Sequence, residues 1–171
     1  NIKSLKNELN YLRAEADSMA LEIRFHEKKI HEKFLSKNNL SNEIFTAIEK
    51  SRVEAQGSQI FKGININILD KHNIDLSNPI LKKNEEEEKI IKAFKYVSYS
   101  ELSGNNLGGN FSVYKKIIKK KLGKKYIEFF SKLKKNISNQ QDFAEQLKFI
   151  LQELGFYENS SDSNKDNSKD R

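Results

Sequence analysis

The sequence predicts an all-α fold: a single domain of about six helices over residues 1–157, led by a long amphipathic N-terminal helix, with a disordered polar tail at 158–171. Two observations predict it. Apolar residues recur at helical spacing in one segment after another. The only alternating stretch, Ile64 to Ile68 with Asn65 and Asn67 between, also places Ile60, Ile64 and Ile68 on one helix face, so there is no strong sheet signal.

At 171 residues the chain suits one domain, long enough to bury roughly two thirds of its unfolded surface. It begins at Asn1 with no initiator Met and no signal-like apolar segment, and reads as a piece of a longer protein. No apolar run approaches the roughly 20 residues of a membrane helix, so no membrane is expected as a partner. The absence of Cys rules out a disulfide framework and a thiolate metal site, and fits a reducing cytoplasm, the expected location. A net charge of +7 raises nucleic acid as a partner. Abundant Lys, Ile and Asn with only four Arg, however, is the profile an AT-rich genome imposes on every protein, so the basicity is discounted.

Taken in order, Ile2, Leu5, Leu9, Leu12, Ala16, Met19 and Ile23 are spaced three, four, three, four, three, four, with no Gly or Pro between them. This apolar seam predicts one long helix. Packing inside the domain is the favoured reading, and a coiled coil with another chain through Ile2 to Ile23 is the alternative. The seam continues through His26, Ile30 and Phe34. A helix from Ile2 to Phe34 would be about 50 Å long at about 1.5 Å per residue, so a break near His26 is expected. The string HEKKIH has one residue too many for HExxH. On one helix His31 would lie roughly 140° round from His26, too far to share a metal. His26 is therefore read as a hydrogen-bonded structural residue and His31 as a surface one.

Ser36 to Asn42 is a polar linker, with Ser41 or Asn39 available as N-cap. In the next helix Ile44, Phe45, Ile48 and Val53 face inward and Gly57 sits just beyond the end. Glu49 and Arg52 are placed to pair on its surface, which contributes a few tenths of a kcal/mol, while Arg52 and Glu54 point in different directions. Ile60 to Leu69 fits a strand by its alternation and a helix by its Ile60, Ile64, Ile68 face, and Asp75 to Lys83, with the single Pro79, is a loop. Glu85 to Glu88 opens a helix through Leu102, since carboxylates complement a helix N-terminus. Pointing all round the helix, they cannot converge on one cation. Ser103 to Asn110 ends it, and its glycines lack the spacing of a phosphate loop.

From Val113 to Ile137 the stripe Ile118, Leu122, Tyr126, Phe129 or Phe130, Leu133 and Ile137 predicts a helix that Gly123 weakens by about 1 kcal/mol and kinks. Ten Lys and one Glu fall between Val113 and Lys135, a local charge of +9. The run Lys115 to Lys135 is the alternative functional element, a basic helix that could neutralise nucleic-acid phosphates. No Arg supplies bidentate base contacts and the aromatics lie on the buried stripe, so a solvated face or docking to an acidic protein surface is preferred. Phe143, Leu147, Ile150, Leu151 and Leu154 form the last helix, closed by Gly155, and the Ser, Asn, Asp and Lys beyond Tyr157 read as disordered.

One string of unlike residues is more specific: Arg13, Ala16, Asp17, Ser18, Met19, Ala20, Leu21, Arg24, His26 and His31, then Phe45, Glu49, Ser51, Arg52, Val53, Glu54, Ala55 and Gly57, with Gln140 to Phe156 at the far end. It resembles the N-terminal region of CobT, a subunit of the aerobic cobaltochelatase of cobalamin synthesis. The resemblance implies a non-catalytic assembly domain of an ATP-dependent machine that inserts cobalt into hydrogenobyrinic acid a,c-diamide. Its implied partners are a CobS-like AAA+ ATPase and a CobN-like large subunit. ATP, Mg²⁺ and cobalt belong to the whole complex, and this domain is expected to hold none. Arg24, His26, Glu49, Arg52 and Glu54 are the expected partner-binding residues, on a charged face. The resemblance also implies that Ile60 to Leu69 is helical and that the tail starts a linker to a von Willebrand A-type domain. The DxSxS metal motif of such domains is missing, since Asp166 to Asp170 departs from it at the last position. With no Cys, few His and no Ser beside a credible base, no catalytic constellation is expected.

Overall fold

A computed structural model describes residues 1–80 and 85–157. Every regular element among them is helical: α1 (Ile2–Phe25), α2 (Lys28–Glu32), α3 (Asn39–Ile60), α4 (Lys62–Leu76), α5 (Glu86–Ser103), α6 (Phe111–Leu122), a 3-10 turn (Gly123–Lys125), α7 (Tyr126–Lys135) and α8 (Gln140–Glu153). The all-α expectation holds. Two of the six expected helices are divided, which gives eight α segments. His26 and Glu27 are extended (φ −117° and −104°) and separate α1 from α2. Gly123, at φ 54° and ψ −130°, turns the expected kink into a break between α6 and α7, because only Gly reaches that backbone region without strain. The tail at 158–171 and the end of the expected loop at 81–84 lie outside the described residues.

The core is built around α3, which touches α1, α4, α5 and α8. Ser51 donates to the Lys95 carbonyl at 2.7 Å and Gln59 to the Leu102 carbonyl at 3.1 Å, so α3 and α5 run parallel. The inward positions foreseen on α3 (Ile44, Phe45, Ile48, Val53) and the later stripes (Ile118, Leu122, Phe129, Phe130, Leu133; Phe143, Leu147, Ile150, Leu151) are buried together. The stretch from Ile60 to Leu69 is helical but divided: Ile60 ends α3, Phe61 is extended (φ −120°, ψ 105°), and α4 carries the rest from Lys62. Gly104 closes α5 in the left-handed conformation.

The N-terminal seam does not pack inside the domain. Ile2 is 88% exposed, Leu5 58%, Leu9 56%, Leu12 64%, Met19 64% and Ile23 87%. A second stripe, Tyr11, Ala14, Ser18, Leu21 and Phe25, lies roughly 170° round the helix at about 100° per residue, and α1 docks through that one. This stripe is shorter and more polar, and the structure supplies partners for it and for the residues on its flanks. Tyr11 donates to Asp75 at 2.8 Å, Asn67 to Asp17 at 2.7 Å, and Lys71 pairs with Glu15. Leu21 fills a socket over Gly57, where an added Cβ would stand 2.3 Å from Leu21 Cδ1. This corrects the reading of Gly57 as a helix end: α3 runs through it to Ile60 because Leu21 needs the missing side chain. The N-cap of α3 is Asn38, whose Oδ1 accepts from the Ser41 amide at 2.9 Å, rather than Ser41 or Asn39. Ser41 is buried and donates instead to the Phe156 carbonyl.

Candidate functional site

The five residues expected on a charged face do not form one. Glu49 is 3% exposed, Arg52 1% and Glu54 1%. His26 is half-buried, and only Arg24 lies at the surface, its guanidinium over the rings of Phe25 and Phe61 at 5.5 and 5.6 Å. The expected surface pair between Glu49 and Arg52 is therefore an interior one. It is interior because α1 and α8 close over that side of α3.

Arg52 uses all of its N–H groups. Nε and Nη2 grip Glu49 side-on at 2.8 Å each, Nη2 also donates to the Phe25 carbonyl at 2.7 Å, and Nη1 donates to the Ile137 carbonyl at 2.9 Å and Gln56 at 3.1 Å. The Phe25 carbonyl stands at the end of α1, where a helix leaves acceptors without intrahelical partners. One planar fork thus ties the end of α1, the α7–α8 connection and α3 together, which a Lys point charge could not do. Glu49 also pairs with His26 Nδ1 at 2.8 Å. Burial raises its pKa, but Arg52 and His26 outweigh burial and hold it below the ordinary value.

Glu54 makes a separate centre two residues on, as the different directions of Arg52 and Glu54 require. Ser18 of α1 donates to its Oε1 at 2.6 Å and His72 of α4 meets its Oε2 at 2.6 Å. Burial opposes its charge, yet the His72 and Ser18 contacts pull its pKa down to about 2. His72 is fully buried, ringed by Tyr96 and Tyr99 at 5.6 and 4.5 Å. Sequence reasoning passed over His72 because its carboxylate partner lies on another helix. The available signal was Ser18 and Glu54 standing at otherwise core-facing helix positions.

A cleft of about 320 Å³ lies beside these centres, lined in part by Glu22, His26, His31, Thr46, Lys50 and Glu54. The break after Phe25 brings the two imidazoles to 5.2 Å between centroids. This corrects the expectation, drawn for one continuous helix, that His26 and His31 point far apart. His31 is not a purely surface residue: it is half-buried, edge-on to His26, with Nε2 3.1 Å from Thr46 Oγ1 and no partner for Nδ1. Burial, then the neighbouring His26, lowers its pKa. Without an acceptor on Nδ1 to orient the ring, the Thr46 and His31 pair lacks the third member of a nucleophilic relay. Among the described residues no group of three or more His, Asp or Glu side chains could hold a metal ion.

The Lys-rich segment spans α6 and α7. Lys116, Lys119, Lys120, Lys121, Lys124, Lys125, Lys134 and Lys135 are exposed, while Tyr126, Phe129 and Phe130 are buried beneath them, as the stripe predicted. Part of the charge is met within the domain: Lys115 pairs with Glu101, Lys125 with Glu153 and Lys132 with Glu128. Base stacking, which single-strand binding relies on, has no exposed aromatic here.

Residues 3–171 match the family described as Cobalamin biosynthesis protein CobT. The chain belongs to the CobT family. The resemblance carried by Arg13 to Gly57 is therefore one of descent, and the residues that carry it mostly build the α1–α3–α4 junction of a CobT domain. No curated protein and no solved structure matches the chain. No described helix of this CobT domain is long and apolar enough to cross a membrane.

Proposed function

We propose that this CobT domain is the assembly module of a cobaltochelatase subunit, acting through contacts with other chains rather than through chemistry of its own. The observation that carries the reading is the outer face of α1: six large apolar side chains stand more than half exposed along one helix. A face of that kind is characteristic of protein interaction sites. Family membership supplies the context, with a CobS-like AAA+ ATPase and a CobN-like subunit as partners and with ATP, Mg²⁺ and the cobalt cargo handled by the complex. Within this reading Arg24 is the contact residue among the five, since it is exposed at the end of α1. Glu49, Arg52, Glu54 and His26 act from beneath, fixing α1 on α3.

The test is co-purification with the AAA+ subunit of the same genome at about 0.3 M salt, where the Debye length falls to roughly 6 Å and loose Lys contacts are screened. A retained complex is expected, weakened by R24E without a change in thermal midpoint. No complex, with duplex DNA retained at low salt, would transfer the role to the basic face of α6 and α7.

A further inference from the structure

The exposed face of α1 reads as one side of a coiled coil. Ile2, Leu9, Ala16 and Ile23 take the a positions of three heptads, and Leu5, Leu12 and Met19 the d positions. The flanks carry opposite signs. On one side, at the e positions, stand Lys6, Arg13 and Ala20; on the other, at the g positions, Asn1, Glu8, Glu15 and Glu22. When two copies of this helix lie parallel and in register, the g residue of one faces the e residue of the next heptad of the other, so Glu8 meets Arg13 of the second copy twice over. An antiparallel pair instead sets Lys6 and Arg13 against each other and the three Glu against themselves.

From this face we infer that the partner is a second copy of the same chain, docked parallel through Ile2 to Ile23. The inference rests on the reading of α1 as a contact surface and names its occupant. The fold permits it: Ala14, Ser18 and Leu21, which attach α1 to the domain, are on the opposite side of the helix, so the two domains stand outside the pair. The helix is about 36 Å long at about 1.5 Å per residue, and from Tyr11 to Phe25 it is already held folded by α3 and α4. Association therefore does not carry the ordering cost that makes an isolated three-heptad peptide marginal. Glu8 and Arg13 are exposed, whereas Glu15 pairs with Lys71 of its own chain, so the Glu8–Arg13 layer carries the charge selectivity.

The experiment is sedimentation of the 171-residue chain over a range of concentrations, with four sets of variants. Wild type is expected to move from monomer to dimer. The double variant L9E/L12E should remain monomeric, with the thermal midpoint of wild type measured at concentrations where it too is monomeric, because both side chains are then in solvent. E8R alone should raise the dimer dissociation constant about tenfold by replacing two attractive pairs with repulsive ones, and E8R/R13E should restore it. Since the chain has no Cys, L5C should oxidise to a disulfide dimer in the parallel arrangement. Cross-linking only between L5C and A16C chains, a d and an a position, would establish an antiparallel pair and overturn the inference, as would a wild type that stays monomeric. A monomer that still retains the AAA+ subunit would leave the assembly reading standing with a different occupant. A dimer that does not bind that subunit would leave this inference standing and remove that reading.

Discussion

Arg52 and Glu54 stand two residues apart on one helix and do different work, and each can be tested separately. Removing the guanidinium leaves Glu49 charged, buried and short of two donors, and frees the Phe25 and Ile137 carbonyls. R52A should lower unfolding free energy by about 3–5 kcal/mol, and R52K by about 2 kcal/mol, because Lys restores the charge without the fork. Urea unfolding at neutral pH measures both. Glu54 sets an acid limb instead. Its folded pKa, about 2, lies below the ordinary 4.5, so its contribution is fully present above the higher value and is lost as pH falls from there through the lower one. The shift corresponds to about 3 kcal/mol at neutral pH. Glu49, also held low, loses its contribution in the same direction. Denaturation followed down from pH 6 should show wild type weakening steadily, and E54Q, whatever its starting stability, weakening less steeply. Equal slopes would mean that Glu54 is not held charged by Ser18 and His72. The sequence showed that Arg52 and Glu54 diverge on the helix, but not that both are buried, because burial depends on α1, α4 and α8, which lie elsewhere in the chain.

Gly57 shows how one element is positioned by another. By helix propensity alone, Ala at that interior position would be favoured by about 1 kcal/mol. The socket reverses this: a Cβ there meets three carbons of Leu21 within 2.9 Å, and Leu21 is itself buried, with little room to move. G57A should therefore destabilise the domain by about 1–3 kcal/mol. In an L21A background the same change should become neutral or stabilising, so the two substitutions form a double-mutant cycle with strong coupling. Additive effects would show that Leu21 escapes the clash at no cost. The sequence placed Gly57 at a helix end because Gly commonly follows one. A close helix crossing produces the same residue for another reason, and the two are indistinguishable without the facing side chain. Gly123 was easier to read, since a lone Gly within a Lys-rich helix leaves few alternatives to a bend.

For the molecule as a whole, the end of the described chain returns to the first half. Tyr157 donates to the Phe34 carbonyl at 2.7 Å, Phe156 sits edge-on to Phe94 at 5.7 Å, and the Phe156 carbonyl accepts from Ser41. These contacts close the domain across α3 and α5. A chain stopped after Gly155 should lose about 3 kcal/mol, a drop of roughly 6–12 °C in thermal midpoint, which calorimetry would register. A midpoint within about 2 °C of the longer chain would show that α8 needs no such closure. The outer face of α1 should behave oppositely: substitutions there change association and leave unfolding of the monomer alone.

By itself the sequence determined that the chain is helical, where most helices run and which faces of α6, α7 and α8 turn inward, because a 3.6-residue period is written locally and each of those helices carries a single apolar stripe. Helix α1 carries two. The larger stripe, Ile2 to Ile23, is the stronger hydrophobic signal, yet the tertiary structure turned it outward. The choice depended on what lay opposite: the Gly57 socket, Glu54, Asn67, Lys71 and Asp75 match the smaller stripe group by group. Those partners come from two later helices, and no local pattern in α1 records them.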